Sequence, residues 1–147
     1  MTSEGISEAQ RERIARALET VPFGKLLGLK LESIKPGEAT LSLEIRDDFM
    51  QNNGVVHGGV IASLIDSATA FSIIPLLGKD ERITTVDLTI NYLRPLVSGT
   101  IKATARVLRE GGRVVVTSAD VFDPVGNLAS TALSTYLRFI PGLSSRP

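Results

Sequence analysis

From Gly58 to Gly78 the chain reads GGVIASLIDSATAFSIIPLLG, apolar on most sides, with Asp66 as its only charged residue. Such a run, closed by Pro75 and Gly78, predicts a helix that other structure must wrap. Upstream, Ser7-Glu8-Ala9-Gln10 fits a capping box, and Ile14, Leu18 and Val21 recur at helical spacing, which predicts an amphipathic helix over 8–20. Phe23 to Leu27 predicts one more turn, ended by Gly28. Strand patterns then run from Leu29 to Ile34 and from Thr40 to Arg46, where Leu41, Leu43 and Ile45 alternate with polar residues across a Pro36-Gly37 turn. Residues 47–56 form a polar loop, and beyond the long helix strands are expected near 82–92, 99–109, 113–122 and 128–139. Turns fall at Arg94-Pro95, Gly111-Gly112 and Asp123 to Asn127, and the tail from 140 onward is expected to fray.

Helix, two strands, a long apolar helix and four strands make an α+β domain of antiparallel hairpins around one helix. The 147 residues suit a single domain that buries roughly two thirds of its unfolded surface. A sheet wrapped round one helix leaves its edge strands open, and open edges invite pairing with a second copy, so a dimer is expected.

Basic and acidic residues balance at 16 each, so no net field draws the chain to nucleic acid or to an anionic membrane. The absence of cysteine excludes disulfides, thiolate catalysis and cysteine zinc sites, and a single histidine argues against a histidine-rich metal site. Residues 55–77 are about long enough to cross a bilayer. Asp66, the hydroxyls of Ser63, Ser67, Thr69 and Ser72, the opening glycines and Pro75 favour a buried core helix instead. The first twenty residues lack the apolar core of a secretory signal, so the expected location is cytoplasmic.

A carboxylate in an apolar helix costs several kcal/mol of desolvation unless something compensates or uses it. Asp66 therefore either accepts hydrogen bonds from neighbours such as Ser63 or Thr69, or performs chemistry. Gly58-Gly59 opens the same helix, where backbone amides lack partners and carry the positive end of the dipole. That pair either suits a developing oxyanion or simply lets the chain turn against a crowded sheet. His57 either positions substrate or bonds a loop backbone, and Gln51 to Gly54 either polarises a carbonyl or forms an ordinary turn. Asp66 lies eight residues after Gly58, about 12 Å along a helix axis at 1.5 Å per residue. A carboxylate and an oxyanion donor must both sit roughly 3 Å from one reacting carbonyl, so within one helix they do not meet. Two copies with antiparallel helices would bring Asp66 of one near Gly58 of the other.

Gln51-Asn52-Asn53-Gly54-Val55-Val56-His57-Gly58-Gly59, then Asp66, then Thr85-Val86-Asp87-Leu88-Thr89-Ile90-Asn91-Tyr92-Leu93-Arg94-Pro95-Leu96, resembles the hotdog-fold acyl-CoA thioesterases of the phenylacetate-pathway, PaaI-like, type. The resemblance covers nearly the whole chain. It implies an antiparallel sheet of about six strands around one central helix, and an active site between subunits of a homodimer, with dimers of dimers common among relatives. By position, Asp66 matches the catalytic carboxylate, as nucleophile or general base, and the Gly58 amide matches the oxyanion donor. Gln51 falls near the carbonyl or the attacking water, His57 at a supporting position, and Thr85 at a hydroxyl position that helps hold water. Gly59, Asn53 and Thr69 are expected against the substrate. Simple alternation, however, puts Thr85 on the polar side of its strand with Asp87, Thr89 and Asn91.

A thioester is already electrophilic, so a placed carboxylate and an oxyanion site suffice without metal or cofactor. The implied reaction is hydrolysis of an aryl or medium- to long-chain acyl-CoA, with Ile65, Thr69, Ile73, Phe49 and Met50 as pocket candidates. Two other readings share the fold. Hotdog hydratases and dehydratases place a catalytic histidine in a His-Phe-Pro or Asp-x-x-x-x-His context, which His57-Gly58-Gly59 does not match. A non-catalytic acyl-CoA-binding module would bind without turnover.

Overall fold

The computed structural model describes residues 5–142, so the expected fraying beyond 142 lies outside the described residues. Two short helices open the chain, α1 (Glu8–Thr20) and α2 (Pro22–Leu27). The capping box at Ser7 is present in both directions, and Gly28 ends α2 in a left-handed conformation at φ 71°. Strands β1 (Lys30–Lys35) and β2 (Glu38–Glu44) form a hairpin. The long helix α3 (Gly58–Ile73) follows and tightens into a 3₁₀ turn at Ile74–Leu76, where Pro75 cannot continue the α-helical ladder. Strands β3 (Arg82–Tyr92), β4 (Thr100–Glu110), β5 (Val114–Phe122) and β6 (Leu128–Phe139) complete the fold. The loop at 47–56 contains a 3₁₀ turn, Asp47–Phe49, and a short bridge between Met50 and Val56.

All six strands join one antiparallel sheet in the order β1-β2-β4-β5-β6-β3. The helix packs on one face of this sheet, which is the hotdog arrangement. By length and composition, Gly58–Leu76 is apolar enough to cross a membrane. In the fold one flank of that segment is buried against the sheet: Ile61, Leu64, Ile65 and Ala68 share a core cluster with Leu41 and Leu43 of β2 and Ile101, Ala103 and Ala105 of β4. The loop ahead of α3 is tied down by backbone bonds from Val56 to Leu96, from His57 to Phe49 and from Gln51 to Val55. At the other end, the Gly37 amide donates to the Ser72 carbonyl, satisfying one of the helix's terminal acceptors.

Strand β3 is a sheet edge with an irregular register. Thr85 faces Tyr136 and Asp87 faces Thr135, so Val86 is an extra residue, a β-bulge. The Ser134 hydroxyl donates to the Asp87 carbonyl at 3.0 Å and pins the bulge. The extra residue inverts the alternation, so Ile83 and Thr85 share the helix-facing side with Leu88 and Ile90, while Val86 is 58% exposed.

Candidate active site

The N-terminal turn of α3 is assembled by His57. Its Nδ1 accepts from the Gly59 amide at 2.9 Å and its carbonyl accepts from Val60 at 3.0 Å, so His57 is the N-cap. The Gly59 amide, expected against the substrate, is thereby occupied. Among the described residues no hydrogen bond engages the Gly58 amide, which stays available at the positive end of the helix. Gly58 is closely approached: a Cβ there would sit 3.2 Å from the Tyr92 ring, which would have to shift by a few tenths of an ångström, and the Tyr92 hydroxyl donates to the Gly58 carbonyl at 2.8 Å. Partial burial pushes the Tyr92 phenol up from its ordinary value.

Two cavities open on this turn. One, of about 320 Å³, is lined by Gln51, Gly58, Ile61, Tyr92 and Arg94 among others. The second, of about 620 Å³, is lined by Met50, Gln51, Asn52, Asn53, His57 and Gly58. Gln51, Asn53, His57 and Gly58 are thus brought together, as their sequence proximity suggests.

Asp66 lies two turns further along α3, part-buried, at a third cavity of about 320 Å³ shared with Phe23, Ala62, Ser63, Ser67, Thr85 and Leu88. Its partners differ from those the sequence suggests. Ser63 donates instead to the Gly59 carbonyl, and Thr69 bonds the helix carbonyls of Ile65 and Asp66. The carboxylate Oδ1 accepts from the Thr85 hydroxyl at 2.8 Å and from the Tyr136 hydroxyl at 3.1 Å. The bulge at Val86 is what brings Thr85 to this face, against the simple alternation of its strand.

Thr69 does not line the cavity. It is fully buried on the sheet-facing side of α3, with its hydroxyl 2.7 Å from the Tyr136 hydroxyl. Ile65, Ile73 and Phe49 are buried as well, whereas Met50, of the expected acyl-pocket residues, lines the cavity at Gly58. The open face of the helix is instead Ala62, Ser63, Asp66 and Ser67; a 3.6-residue turn sets 65 and 69 roughly a quarter-turn or more from the centre of that face, and Ile73, two turns beyond Asp66, is covered by Val115 and Tyr136.

Tyr136 is the residue that sequence reasoning misses. It is 1% exposed, and its one hydroxyl proton is within reach of both the Asp66 carbonyl at 2.8 Å and Oδ1 at 3.1 Å. Burial, reinforced by the nearby Asp66 charge and partly offset by the Thr69 and Thr85 hydroxyls, pushes its phenol up to about 12. A tyrosine on the inward parity of the last strand needs a partner for its hydroxyl, and that was the available signal. Both tyrosines of the chain donate to α3. Phe23, on α2, was missed too, since nothing in the sequence folds that turn over Asp66. Among the described residues no group of three histidine, aspartate or glutamate side chains is placed to hold a metal ion.

Residues 53–130 match the family model of the thioesterase superfamily. The chain is 30% identical over 132 residues to the medium/long-chain acyl-CoA thioesterase YigI of Salmonella typhimurium, covering 80% of this chain and 85% of that protein. Among solved structures it resembles a single-substitution mutant of the phenylacetic acid degradation protein PaaI from Thermus thermophilus, with TM-score 0.75 and 29% identity over 81% of this chain and all of that one. It also shares the fold of the PaaI protein of Escherichia coli, with TM-score 0.81 and 23% identity over 90% of this chain and 95% of that one. With the hotdog sheet, the helix that carries Asp66 and these relatives together, the chain belongs to the thioesterase superfamily and is a PaaI-like thioester hydrolase.

Proposed function

We propose that the protein hydrolyses acyl-CoA thioesters, with aryl or medium- to long-chain acyl groups, at a site shared between two copies of the chain. One observation carries this reading: α3 presents an unpaired amide at Gly58 and a hydroxyl-held carboxylate at Asp66, and each lines its own cavity. A separation of about 12 Å along one helix keeps the two from acting on one carbonyl within a chain.

Edge strand β3 supports pairing with a second copy. Among the described residues no strand pairs with its outer backbone row, and Val86 and Tyr92 on it, with Leu93 just beyond, are each more than half exposed. Antiparallel pairing of two β3 edges sets the two α3 helices side by side in opposite directions, so that Asp66 of one copy approaches Gly58 of the other.

In this site the Gly58 amide donates to the thioester oxygen as negative charge builds there. Either the Asp66 carboxylate takes a proton from the water that attacks the carbonyl carbon, or it attacks that carbon itself and water then hydrolyses the anhydride so formed; in both cases the carbon–sulfur bond breaks, the thiolate takes up a proton, and free acid and CoA leave. Gln51 lines both cavities beside Gly58, Asn53 lines the larger, and Arg94, on the smaller, offers a cation to a CoA phosphate. Phe23, Ala62, Ser63, Ser67 and Leu88 receive the acyl group beside Asp66.

Asp66→Asn is expected to stay folded and dimeric while kcat falls by several orders of magnitude in a free-thiol release assay across aromatic and aliphatic acyl-CoAs. Full activity would overturn the role given to Asp66. Binding without thiol release by the unmodified protein would favour a binding module, and hydration of a crotonyl thioester would favour a hydratase. The shared site has its own test. Gly58→Pro removes the amide at a position where helices accept proline; against Gly58→Ala, which adds the same Cβ beside Tyr92 but keeps the amide, its kcat is expected to be about 100-fold lower or more. Mixing this variant with Asp66→Asn restores activity only if one hybrid site combines an intact Asp66 with an intact Gly58. Demonstrated subunit exchange without rescue would place the site within one chain.

A further inference from the structure

We infer that Tyr136 is a positioning residue that, together with Thr85, saturates one oxygen of the Asp66 carboxylate and leaves the other, Oδ2, as the reacting oxygen. This rests on the reading of Asp66 given above.

The hydrogen-bond inventory makes the assignment. Oδ1 receives Thr85 at 2.8 Å and Tyr136 at 3.1 Å, whereas no hydrogen bond among the described residues reaches Oδ2. A phenol has one proton; with the Thr69 hydroxyl donating to the phenol oxygen, that proton is shared between the Asp66 carbonyl at 2.8 Å and Oδ1 at 3.1 Å, both of Asp66. The Tyr136 oxygen in turn lies 2.7 Å from the Thr69 hydroxyl, itself fully buried. Thr69, Tyr136 and Asp66 therefore form one chain of contacts from the buried side of α3 to its open side. Because Tyr136 grips backbone and side chain of the same residue, it removes freedom at both the Cα and the carboxylate. A carboxylate held by two hydroxyls from the sheet keeps Oδ2 aimed along one direction, toward the cavity of Ala62, Ser63 and Ser67.

The phenol remains a donor throughout the neutral and mildly alkaline range, because burial holds its proton well above the ordinary tyrosine value. Ionised, it would place a negative oxygen against Oδ1 and lose the bond it makes.

The test uses Tyr136→Phe, which keeps the ring and deletes the hydroxyl, assayed with phenylacetyl-CoA and octanoyl-CoA. The expected result is a fall in kcat of about tenfold or more, matching a lost hydrogen bond to a charged group, with KM within about twofold. Thr117→Val is the control. It deletes another fully buried hydroxyl of the same sheet, 3.2 Å from the Ser134 carbonyl and outside the site, and lowers stability without lowering the kcat of folded enzyme. If Tyr136→Phe does not fold, difluorotyrosine at 136 answers the question. It keeps shape and donor but ionises at lower pH, so the alkaline limb of kcat moves to lower pH than in the unmodified protein. Unchanged kcat in Tyr136→Phe, a loss matched by Thr117→Val, a rise in KM alone, or an unmoved alkaline limb would each overturn the inference. Should Asp66→Asn itself be fully active, the reading of Asp66 fails instead.

Discussion

The two flanks of α3 face very different halves of one sheet. Toward β2 and β4 the helix meets Leu41, Leu43, Ile101, Ala103 and Ala105, all fully buried, and it answers with Leu64, Ile65 and Ala68. Toward β6 and β3 its surroundings are mixed: Leu88, Ile90 and Ala132 are apolar, but Tyr136 and Thr85 bring hydroxyls to Asp66, and β6 also carries Ser134, bonded to β3, and the buried guanidinium of Arg138, paired to Glu110 at 2.8 Å. The first half is close-packed and contributes cohesion through apolar area removed from water. The second half gives up some of that contribution to place donors where a carboxylate needs them, the usual trade at a site that must hold charge.

The contrast can be broken from either side. The largest stability effect is expected in the apolar half. Leu41→Ala should cost about 2–5 kcal/mol in chemical denaturation while the kcat of the folded fraction stays near its original value; a comparable loss of kcat would mean the halves are not separable.

Next is the alkaline stability carried by Tyr136. Unfolded, its phenol loses its proton near 10; folded, at about 12. Between those values the folded state holds more protons, so stability falls as pH rises. The contribution is complete below pH 10 and lost through pH 12, on the order of 2–3 kcal/mol. Denaturation curves of Tyr136→Phe against the unmodified protein should therefore converge across that window, and a constant gap would show that the hydroxyl is not buried as described.

A smaller effect is expected from Thr85→Val, which deletes the second hydroxyl on Oδ1. Its kcat should fall about tenfold, with a melting temperature close to the original because this residue is exposed. A large drop in melting temperature would recast Thr85 as structural. The smallest effect belongs to the far end of the helix, where His57→Ala removes the cap on the Gly59 amide and should cost about 1 kcal/mol. No loss on thermal melting would show that water replaces the imidazole.

Much of this was legible along the chain. The alternation of Leu41, Leu43 and Ile45, the capping box at Ser7 and the apolar run after Gly58 each report local physics, and the elements formed where those patterns ran. The isolation of Asp66 was equally plain, as was the grouping of Gln51, Asn53, His57 and Gly58 within one short stretch. Thr69 was misplaced at the substrate because one-dimensional spacing does not say which side of a helix a sheet will cover. Thr85 pointed the wrong way on simple alternation because a bulge has no strong sequence mark: Val86 is an ordinary strand residue, and the bond that pins the bulge comes from Ser134, far along the chain. Tyr136 and Phe23 were invisible as site residues for the same reason.

By itself, then, the amino-acid order determined which segments become helix and strand, that one carboxylate would stand in an apolar helix, and that an amide-bearing glycine turn would open that helix. Those are matters of periodicity, capping and desolvation, which act between near neighbours. Only the tertiary structure decided that Tyr136 and Thr85 would grip that carboxylate and that Phe23 would wall its cavity. Contacts across 19, 43 and 70 positions depend on how strands register and where a bulge falls, and no local rule encodes that.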